Sequence, residues 1–122
     1  MHFFKNTPYP TNVPNREGGY VHFGLLNKIK MSLLTELLLS PGTVIVDVRS
    51  PEEFNTGHAE ASVNIPLNEL NSRLDELKQM KNIVLCCASG MRSQMASQLL
   101  KQNGIGCCDG GSWVTIKNYS MN

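Results

Sequence analysis

The chain has 122 residues, of which 41% are hydrophobic and 17% are charged. That length and apolar content suffice for one modest hydrophobic core, which predicts a single domain rather than two. The formal net charge is +1 and no long run carries one sign, which argues against the charged surfaces that bind nucleic acid or acidic membranes. We therefore expect the function to depend on a local site.

The N-terminal region carries no recognisable export signal. Residues 1–14 include three prolines and lack the apolar core of a secretory leader. The most apolar stretch, residues 25–39, is interrupted by Lys28, Lys30 and Glu36, which a membrane-spanning helix would tolerate poorly. These features predict a cytoplasmic protein that does not enter the membrane.

The four cysteines lie in two adjacent pairs, Cys86–Cys87 and Cys107–Cys108. In a chain without an export signal, this usage predicts reduced thiols rather than a disulfide framework. A structural zinc site would require ligands spaced along the chain in pairs, and no C-x-x-C pair is present. A metal site is a weak alternative, and we expect neither a metal nor an organic cofactor.

The first ordered element is expected near residue 32. Residues 1–24 are rich in proline, asparagine and glycine without any period, which favours a flexible extension. Ser32 can cap a helix that Pro41 and Gly42 would end. The apolar residues of that helix recur on one face, at Leu33, Leu34, Leu37 and Leu38. We therefore predict an extension over residues 1–30 and a folded domain over residues 31–122.

A buried strand and a capped helix are predicted next. Residues 43–48 are β-branched and almost wholly apolar, as in a parallel strand that is covered on both faces. Ser50 can then cap a short helix that has Pro51 at its first position and Glu53 three residues after the cap. This pattern is a capping box, and Gly57 would end the helix.

Strands and helices continue to alternate along the rest of the chain. Apolar spacing and turn residues predict a short strand, a helix, a buried strand, a helix and a last short strand, over residues 61–66, 67–77, 82–87, 93–103 and 106–108. Strands that alternate with helices form parallel sheets through right-handed crossovers. The sequence therefore predicts an α/β fold with a small, mostly parallel central sheet.

Cys87 stands at the end of the predicted strand 82–87, and sites in open α/β sheets form at the carboxyl ends of strands. The residues that follow are mostly small, include Gly90 and lead into a helix, so several backbone N–H groups can point inward. These donors and the helix N-terminus would stabilise the Cys87 sulfur as an anion, and they can lower a cysteine pKa from about 8.5 to between about 3.5 and 7.5. We predict a nucleophilic Cys87 thiolate, with Arg92 as the fixed positive charge.

This loop resembles that of a known family. The rhodanese-type sulfurtransferases have an active-site loop that is similar to the segment Cys87-Ala88-Ser89-Gly90-Met91-Arg92-Ser93. Further segments fall in the order that the family has, at residues 47–54, 57–58, 64–67 and 110–113. The resemblance implies a rhodanese-like three-layer α/β/α domain with Cys87 as the catalytic nucleophile. It also implies a loop that binds the anion or persulfide, formed by Ala88, Ser89, Gly90, Met91 and Arg92.

The length of the loop separates two chemistries on this fold. The related Cys-dependent phosphatases and arsenate reductases are similar but carry one more residue between the cysteine and the arginine. Four residues stand between Cys87 and Arg92 here. A tighter loop suits a single sulfur atom, whereas a tetrahedral oxyanion needs a wider cradle. We therefore favour sulfur transfer over phosphoryl transfer.

The resemblance implies a sulfurtransferase that works through a persulfide on Cys87. Sulfane sulfur would pass from a donor such as thiosulfate or a persulfide to a thiophilic acceptor. The expected partners are a small sulfur donor or a protein persulfide, and a thiol acceptor. The alternative is a non-catalytic sulfur-carrier or protein-interaction module on the same fold, and a Cys-dependent phosphatase or arsenate reductase is less favoured.

A second group of residues is predicted to support the site rather than to react, namely Asp47, Arg49, Glu53, His58 and Ser93. A buried strand end that leads into a capped helix needs hydrogen bonds and an ion pair, which these residue types supply. Cys86 precedes Cys87 on the strand, so it faces the opposite side and is predicted to pack in the core. Cys107 and Cys108 are likewise predicted to be structural.

Overall fold

The computed structural model describes residues 12–14 and 17–120. Tertiary contacts divide the chain into two compact units, of which the first ends at Leu34 and the second begins at Thr35. Helix α1 (Phe23–Leu39) contains this division.

The first unit contains a pair of short strands and the beginning of α1. Strands β1 (Asn12–Pro14) and β2 (Tyr20–His22) pair antiparallel, and α1 follows β2 directly. Ser32 lies inside α1, so its predicted role as an N-cap is wrong. Leucine, lysine and methionine dominate residues 25–31, where no proline intervenes, so the helix starts earlier than its leucine stripe suggests. No helix within the described ranges is both long and apolar enough to cross a membrane.

The predicted boundary between an extension and a domain falls inside α1. Strands β1 and β2 and the first turns of α1 lie within the predicted extension, residues 1–30. Residues 1–11 and 15–16 of that extension lie outside the described residues. The division into residues 1–30 and 31–122 stays a prediction.

A parallel sheet forms the centre of the second unit. Its strands are β3 (Thr43–Asp47), β4 (Val63–Asn64), β5 (Asn82–Cys87) and β6 (Cys108–Ser112), in the spatial order β4-β3-β5-β6. The helical segments of this unit after α1 are α2 (Pro51–Thr56), a 3-10 helix (Leu67–Ser72), α3 (Leu74–Lys78), α4 (Met91–Gln102) and α5 (Trp113–Ser120). The predicted α/β class with a small parallel sheet is confirmed.

The capping box at the start of α2 is also confirmed. The Ser50 Oγ accepts the Glu53 N–H at 3.2 Å, and the Ser50 N–H donates to Glu53 Oε1 at 3.3 Å. Pro51 occupies the start of the helix. A backbone N–H at this position would have no acceptor within the helix, so the missing N–H of proline costs no hydrogen bond. These local bonds begin α2 shortly after the carboxyl end of β3.

Strand β5 lies between β3 and β6, and its residues 83–87 are buried. The apolar core around it includes Val46, Val48, Ile65, Leu70, Leu77, Ile83, Leu85, Ala96, Leu100 and Ile105. Burying one large aliphatic side chain contributes roughly 1.5–3 kcal/mol. A packed core therefore holds the strand that ends at Cys87.

Strand β6 differs from its prediction. It spans Cys108–Ser112 rather than residues 106–108, and it includes Gly110. A Cβ at Gly110 would lie 2.8 Å from Ile116 Cδ1 and 2.9 Å from the Leu85 oxygen, so glycine is required where β6 meets β5 and α5. Adjacent glycines often indicate a turn, whereas here they mark a close approach of the backbone.

Two other elements are shorter than predicted. The predicted helix over residues 67–77 is divided at Arg73, which has φ −122° and ψ 24°, into the 3-10 helix and α3. The predicted strand over residues 61–66 is reduced to β4, which pairs with the end of β3. Short segments of this kind carry too few periodic positions for the sequence pattern to set their bounds.

Candidate active site

The loop between β5 and α4 surrounds the sulfur of Cys87. Residues 88–90 alone connect the strand to the helix. Gly90 has φ 101° and ψ −13°, a left-handed conformation that residues with a Cβ rarely adopt. The Gly90 N–H donates to the Cys87 Sγ at 3.0 Å, and the Ser93 N–H donates to the same atom at 3.3 Å. Backbone donors from the loop and from the start of α4 therefore converge on one sulfur.

Burial and hydrogen bonding act on the Cys87 thiol in opposite directions. The residue is 0% exposed, and burial raises the pKa of its thiol because a thiolate would lose hydration. Hydrogen bonding with the Ser93 side chain and with the N–H groups of Ser93, Gly90 and Ser89 lowers that pKa. The hydrogen bonds outweigh burial, so the pKa of Cys87 lies below its ordinary value. Reactive cysteines share this property, although the catalytic role of Cys87 stays a prediction.

A chain of hydrogen bonds continues from Cys87 to β6. The Ser93 Oγ lies 3.6 Å from the Cys87 Sγ and donates to Asp109 Oδ1 at 2.7 Å. The same oxygen of Asp109 accepts the Gly111 N–H at 3.0 Å. The sequence predicts a supporting role for Ser93 but does not single out Asp109. The rule that singles out Cys87 at a strand end applies equally to Asp109, the residue after the predicted last strand.

Cys86 has the opposite environment from its neighbour. It is 0% exposed, which confirms its predicted burial. Burial, and then the nearby Asp47 carboxylate, raise the pKa of the Cys86 thiol to about 12. This thiol therefore stays protonated at neutral pH.

Arg92 is joined to Glu53 of α2. Its Nη1 donates to Glu53 Oε1 at 2.7 Å, and its Nη2 donates to Oε2 at 2.9 Å. These hydrogen bonds lower the pKa of Glu53 to about 2, so both groups are charged at neutral pH. A carboxylate therefore balances the positive charge that the sequence assigns to the loop.

A buried ion pair stands at the end of β3. Arg49 Nη2 lies 2.7 Å from Asp47 Oδ2, and the two side chains are 3% and 0% exposed. Arg49 Nη2 also donates to the Gly57 oxygen at 2.7 Å. The guanidinium carbon of Arg49 lies 4.5 Å from the centroid of the Trp113 ring, within the range of a cation–π contact. Arg49 thus links the ends of β3 and α2 to the start of α5.

The remaining predicted residues lie at the surface. Ala88, Ser89 and Met91 are exposed along the loop and at the start of α4. His58 is exposed, and its ring stacks on Phe54 with 3.7 Å between the ring centroids. The His58 Nδ1 lies 2.8 Å from the Phe54 oxygen, so these contacts hold His58 against the end of α2.

The second cysteine pair lies away from the loop. The Cys107 Sγ is 3.6 Å from the Ser97 Oγ. Cys107 and Cys108 line a cavity of about 360 Å³ at the end of the sheet where β5 begins, whereas Cys87 ends that strand. Across the described part of the chain, no three histidine, cysteine, aspartate or glutamate side chains are grouped as metal ligands would be.

Comparison with known families matches most of the chain. A family model described as a rhodanese-like domain matches residues 31–115, a range that contains the whole parallel sheet and the loop from Cys87 to Ser93. The chain belongs to the rhodanese-like domain family. The family resemblance that the loop indicates in the sequence is thereby confirmed.

Two proteins of Bacillus subtilis are similar to this rhodanese-like chain. The uncharacterized protein YqhL and the putative sulfur carrier protein YrkF are each 42% identical to it over 60 residues, which is 49% of this chain. The matches cover 48% of YqhL and 32% of YrkF. The chain therefore spans about half or less of the length of these curated relatives.

A solved structure supports the rhodanese-like fold. The crystal structure of a rhodanese-like domain protein from Staphylococcus aureus matches with a TM-score of 0.57 and 31% sequence identity. The match covers 67% of this chain and 82% of that one. The predicted rhodanese-like fold class is therefore confirmed.

Proposed function

We propose that this chain is a sulfurtransferase that carries sulfane sulfur on Cys87 as a persulfide. The observation that carries the proposal is the convergence of the Gly90 and Ser93 N–H groups on the Cys87 sulfur, at 3.0 and 3.3 Å. Donors that are fixed in advance stabilise developing negative charge without reorganisation. They would serve both the thiolate and the persulfide anion. Membership of the rhodanese-like domain family supports sulfur chemistry at this loop.

The proposed reaction has two half-reactions. The Cys87 thiolate attacks the outer sulfur of thiosulfate, a new S–S bond forms, and sulfite leaves with the electron pair of the donor S–S bond. Cys87 is then a persulfide anion. An acceptor thiolate next attacks the outer sulfur of that persulfide, and the Cys87 thiolate leaves. The acceptor carries the sulfur away as a persulfide, and Cys87 returns to its first state.

We propose that the sulfur donor approaches through a cavity beside Arg92. The cavity has a volume of about 360 Å³ and is lined by Val48, Ser50, Pro66, Leu67, Asn68 and Arg92. Its lining is partly apolar, and Glu53 balances the charge of Arg92, so an anionic donor and a thiol-bound persulfide are both compatible with it. The partners in this proposal are a small donor or a protein persulfide and a thiol acceptor, in the cytoplasm.

Sulfur uptake tests the proposal directly. The purified protein is exposed to thiosulfate and, separately, to glutathione persulfide, and mass spectrometry with peptide mapping locates any added sulfur. We expect one added sulfur atom, at Cys87, and none in the Cys87→Ser variant. Sulfur on Cys107 or Cys108 while Cys87 stays unmodified would overturn the proposal.

A non-catalytic sulfur carrier is the second candidate, and the burial of Cys87 is the observation that favours it. A thiol that is 0% exposed reacts slowly with small donors unless the loop opens. The similar protein YrkF is named as a putative sulfur carrier. Slow turnover of thiosulfate together with fast uptake from a protein persulfide would favour the carrier.

Turnover of a chromogenic phosphate ester would instead favour the phosphatase alternative, which the four-residue loop disfavours.

A further inference from the structure

The Ser93 hydroxyl stands between Cys87 and Asp109. Its Oγ lies 3.6 Å from the Cys87 Sγ, 2.7 Å from Asp109 Oδ1 and 3.0 Å from the Gly90 carbonyl oxygen. A serine hydroxyl has only one proton to donate. The Cys87 S–H donates to the hydroxyl oxygen, so the one hydroxyl proton has two acceptors in this arrangement, and the shorter distance leads to the carboxylate.

The backbone of β6 holds Asp109 in place for this contact. Asp109 Oδ1 accepts the Gly111 N–H at 3.0 Å, which orients the carboxylate. Ser93 is 0% exposed, so its hydroxyl exchanges hydrogen bonds with these neighbours and not with bulk water. Hydrogen bonds to a carboxylate are charge-assisted and stronger than bonds to a neutral thiol or carbonyl. The hydroxyl proton therefore points toward Asp109 while Cys87 is a neutral thiol.

We propose that Asp109 is a positioning residue that holds the Ser93 hydroxyl proton away from Cys87 and so restrains formation of the Cys87 thiolate. In the thiol state, the S–H donates to the Ser93 Oγ and the O–H donates to Asp109, so all three groups are satisfied. When the thiol loses its proton to solvent, the thiolate and the carboxylate require the same hydroxyl proton. The inference rests on the proposed function only in taking Cys87 as the reactive thiol.

Several other charged or titratable groups lie on the elements around this thiol, and two of them, Cys86 on β5 and Arg92 on α4, interact with it electrostatically. The others are Asp47 and Arg49 at the end of β3, Glu53 on α2 and Lys117 on α5. Substitution of Asp109 or Ser93 leaves all of these groups in the protein. A double-mutant cycle on Asp109 and Ser93 therefore cancels their contributions and isolates the coupling between the two residues.

The test is the pH dependence of iodoacetamide alkylation at Cys87, resolved by peptide mapping. It is measured for the wild type, Asp109→Asn, Ser93→Ala and the double variant. The midpoint of each profile is compared rather than the rate, because burial of Cys87 slows alkylation in every variant. Asn keeps an oxygen that can accept the Gly111 N–H, so this contact with the backbone of β6 is preserved. Thermal unfolding of each variant reports any separate loss of stability.

We expect Asp109→Asn to move the midpoint to lower pH by about one unit, because the hydroxyl becomes free to donate to the thiolate. In the Ser93→Ala background, the same substitution should move the midpoint much less. A midpoint that moves upward or stays in place would overturn the proposal, and so would equal shifts in the two backgrounds. If Asp109 only fixes the backbone of β6 at Gly111, its substitution would lower the unfolding temperature without moving the midpoint.

The Ser93→Ala variant keeps the proposal testable if Asp109→Asn does not fold. Because Asp109 holds the hydroxyl proton for most of the time, Ser93→Ala alone should raise the Cys87 midpoint, but by well under one unit. An upward shift of about one unit or more would mean that the hydroxyl already donates to the sulfur, and the proposal would be wrong. Alkylation reports the protonation of the Cys87 thiol whether or not Cys87 transfers sulfur. Failure of sulfur uptake would therefore overturn the proposed function and leave this measurement intact.

Discussion

Arg92 and Glu53 are joined by two parallel hydrogen bonds, at 2.7 and 2.9 Å, across 39 positions of the sequence. The same Glu53 carboxylate accepts the Ser50 N–H at 3.3 Å and closes the capping box of α2. One side chain therefore serves both the start of α2 and the charged residue of the Cys87 loop. This double role connects the stability of α2 with the electrostatics of the loop.

Glu53→Gln should remove a pH-dependent part of the stability. The pKa of Glu53 is lowered from its ordinary 4.5 to about 2, so its stabilising charge is fully present above pH 4.5 and is lost as the pH falls through about 2. At neutral pH we expect the wild type to be more stable by at most about 1 kcal/mol, because solvent screens this half-exposed pair. Urea unfolding across this pH range measures the difference. Gln preserves the capping box, so a difference that stays constant down to pH 2 would contradict the assignment.

Arg92→Ala should slow sulfur uptake from thiosulfate. Removing one donor from an oxyanion-type site typically costs about 10²–10³ in rate. Because Glu53 already balances the charge of Arg92, we expect a loss of less than about 10² in kcat/KM. Arg73→Ala is the matched control, since Arg73 lies between the 3-10 helix and α3 and pairs with Glu76 at 2.8 Å. Kinetics that match the wild type in a folded Arg92→Ala protein would remove Arg92 from the mechanism.

Cys86→Ser and Cys87→Ser should have different effects on sulfur uptake. Cys87→Ser should abolish uptake, whereas Cys86→Ser should retain it apart from any loss of stability caused by a buried hydroxyl. The pKa of Cys86 is raised to about 12 while that of Cys87 is lowered, so iodoacetamide should label Cys87 before Cys86 at neutral pH. Peptide mapping of the native protein checks the order. If Cys86 labels first, or if a folded Cys86→Ser variant is inactive, a dithiol mechanism must replace the single nucleophile.

Gly90→Ala should change both stability and the reactivity of Cys87. Gly90 has φ 101°, and a Cβ there would meet no atom closer than 3.8 Å. The expected loss of roughly 1–2 kcal/mol in the free energy of unfolding therefore comes from an unfavourable backbone conformation and not from a steric clash. Gly104 has φ 74° and open space around it, so Gly104→Ala should cost a similar amount. Of these two glycines, only Gly90 donates its N–H to the Cys87 sulfur. We therefore expect the two variants to lose similar free energies of unfolding in urea. Alkylation of Cys87 at neutral pH should become slower only in Gly90→Ala.

Gly110→Ala should strongly destabilise the sheet. The added Cβ would lie 2.8 Å from Ile116 Cδ1 and 2.9 Å from Val84 Cγ1, and crowding of this kind costs about 1–3 kcal/mol or more. A Cβ added at Gly106 would have no other atom within 4 Å, so Gly106→Ala is the control. Thermal unfolding compares the two variants. Equal unfolding temperatures would show that β6 does not approach β5 and α5 as closely as described.

The sequence predicted the elements whose signals are local. Residues 43–48 and 82–87 are apolar runs between turn residues, and they became β3 and β5, which pair directly. The capping box from Ser50 to Glu53 involves neighbours in sequence, so its residue types are enough to predict it. The loop from Cys87 to Ser93 is likewise contiguous, and for that reason the sequence indicated both the family and the candidate site.

Contacts between distant segments were decided only by the tertiary structure. The Ser93–Asp109 bond joins α4 to β6, and it depends on the pairing of β6 with β5, which sets Asp109 opposite Leu85. The sequence pattern placed the last strand too early, since a small-residue segment with two glycines has no apolar period. Hydrophobic periodicity records which face of an element is buried, but not which element covers it. Asp109 and the pairing of Arg92 with Glu53 therefore became visible only once the sheet and its helices were packed together.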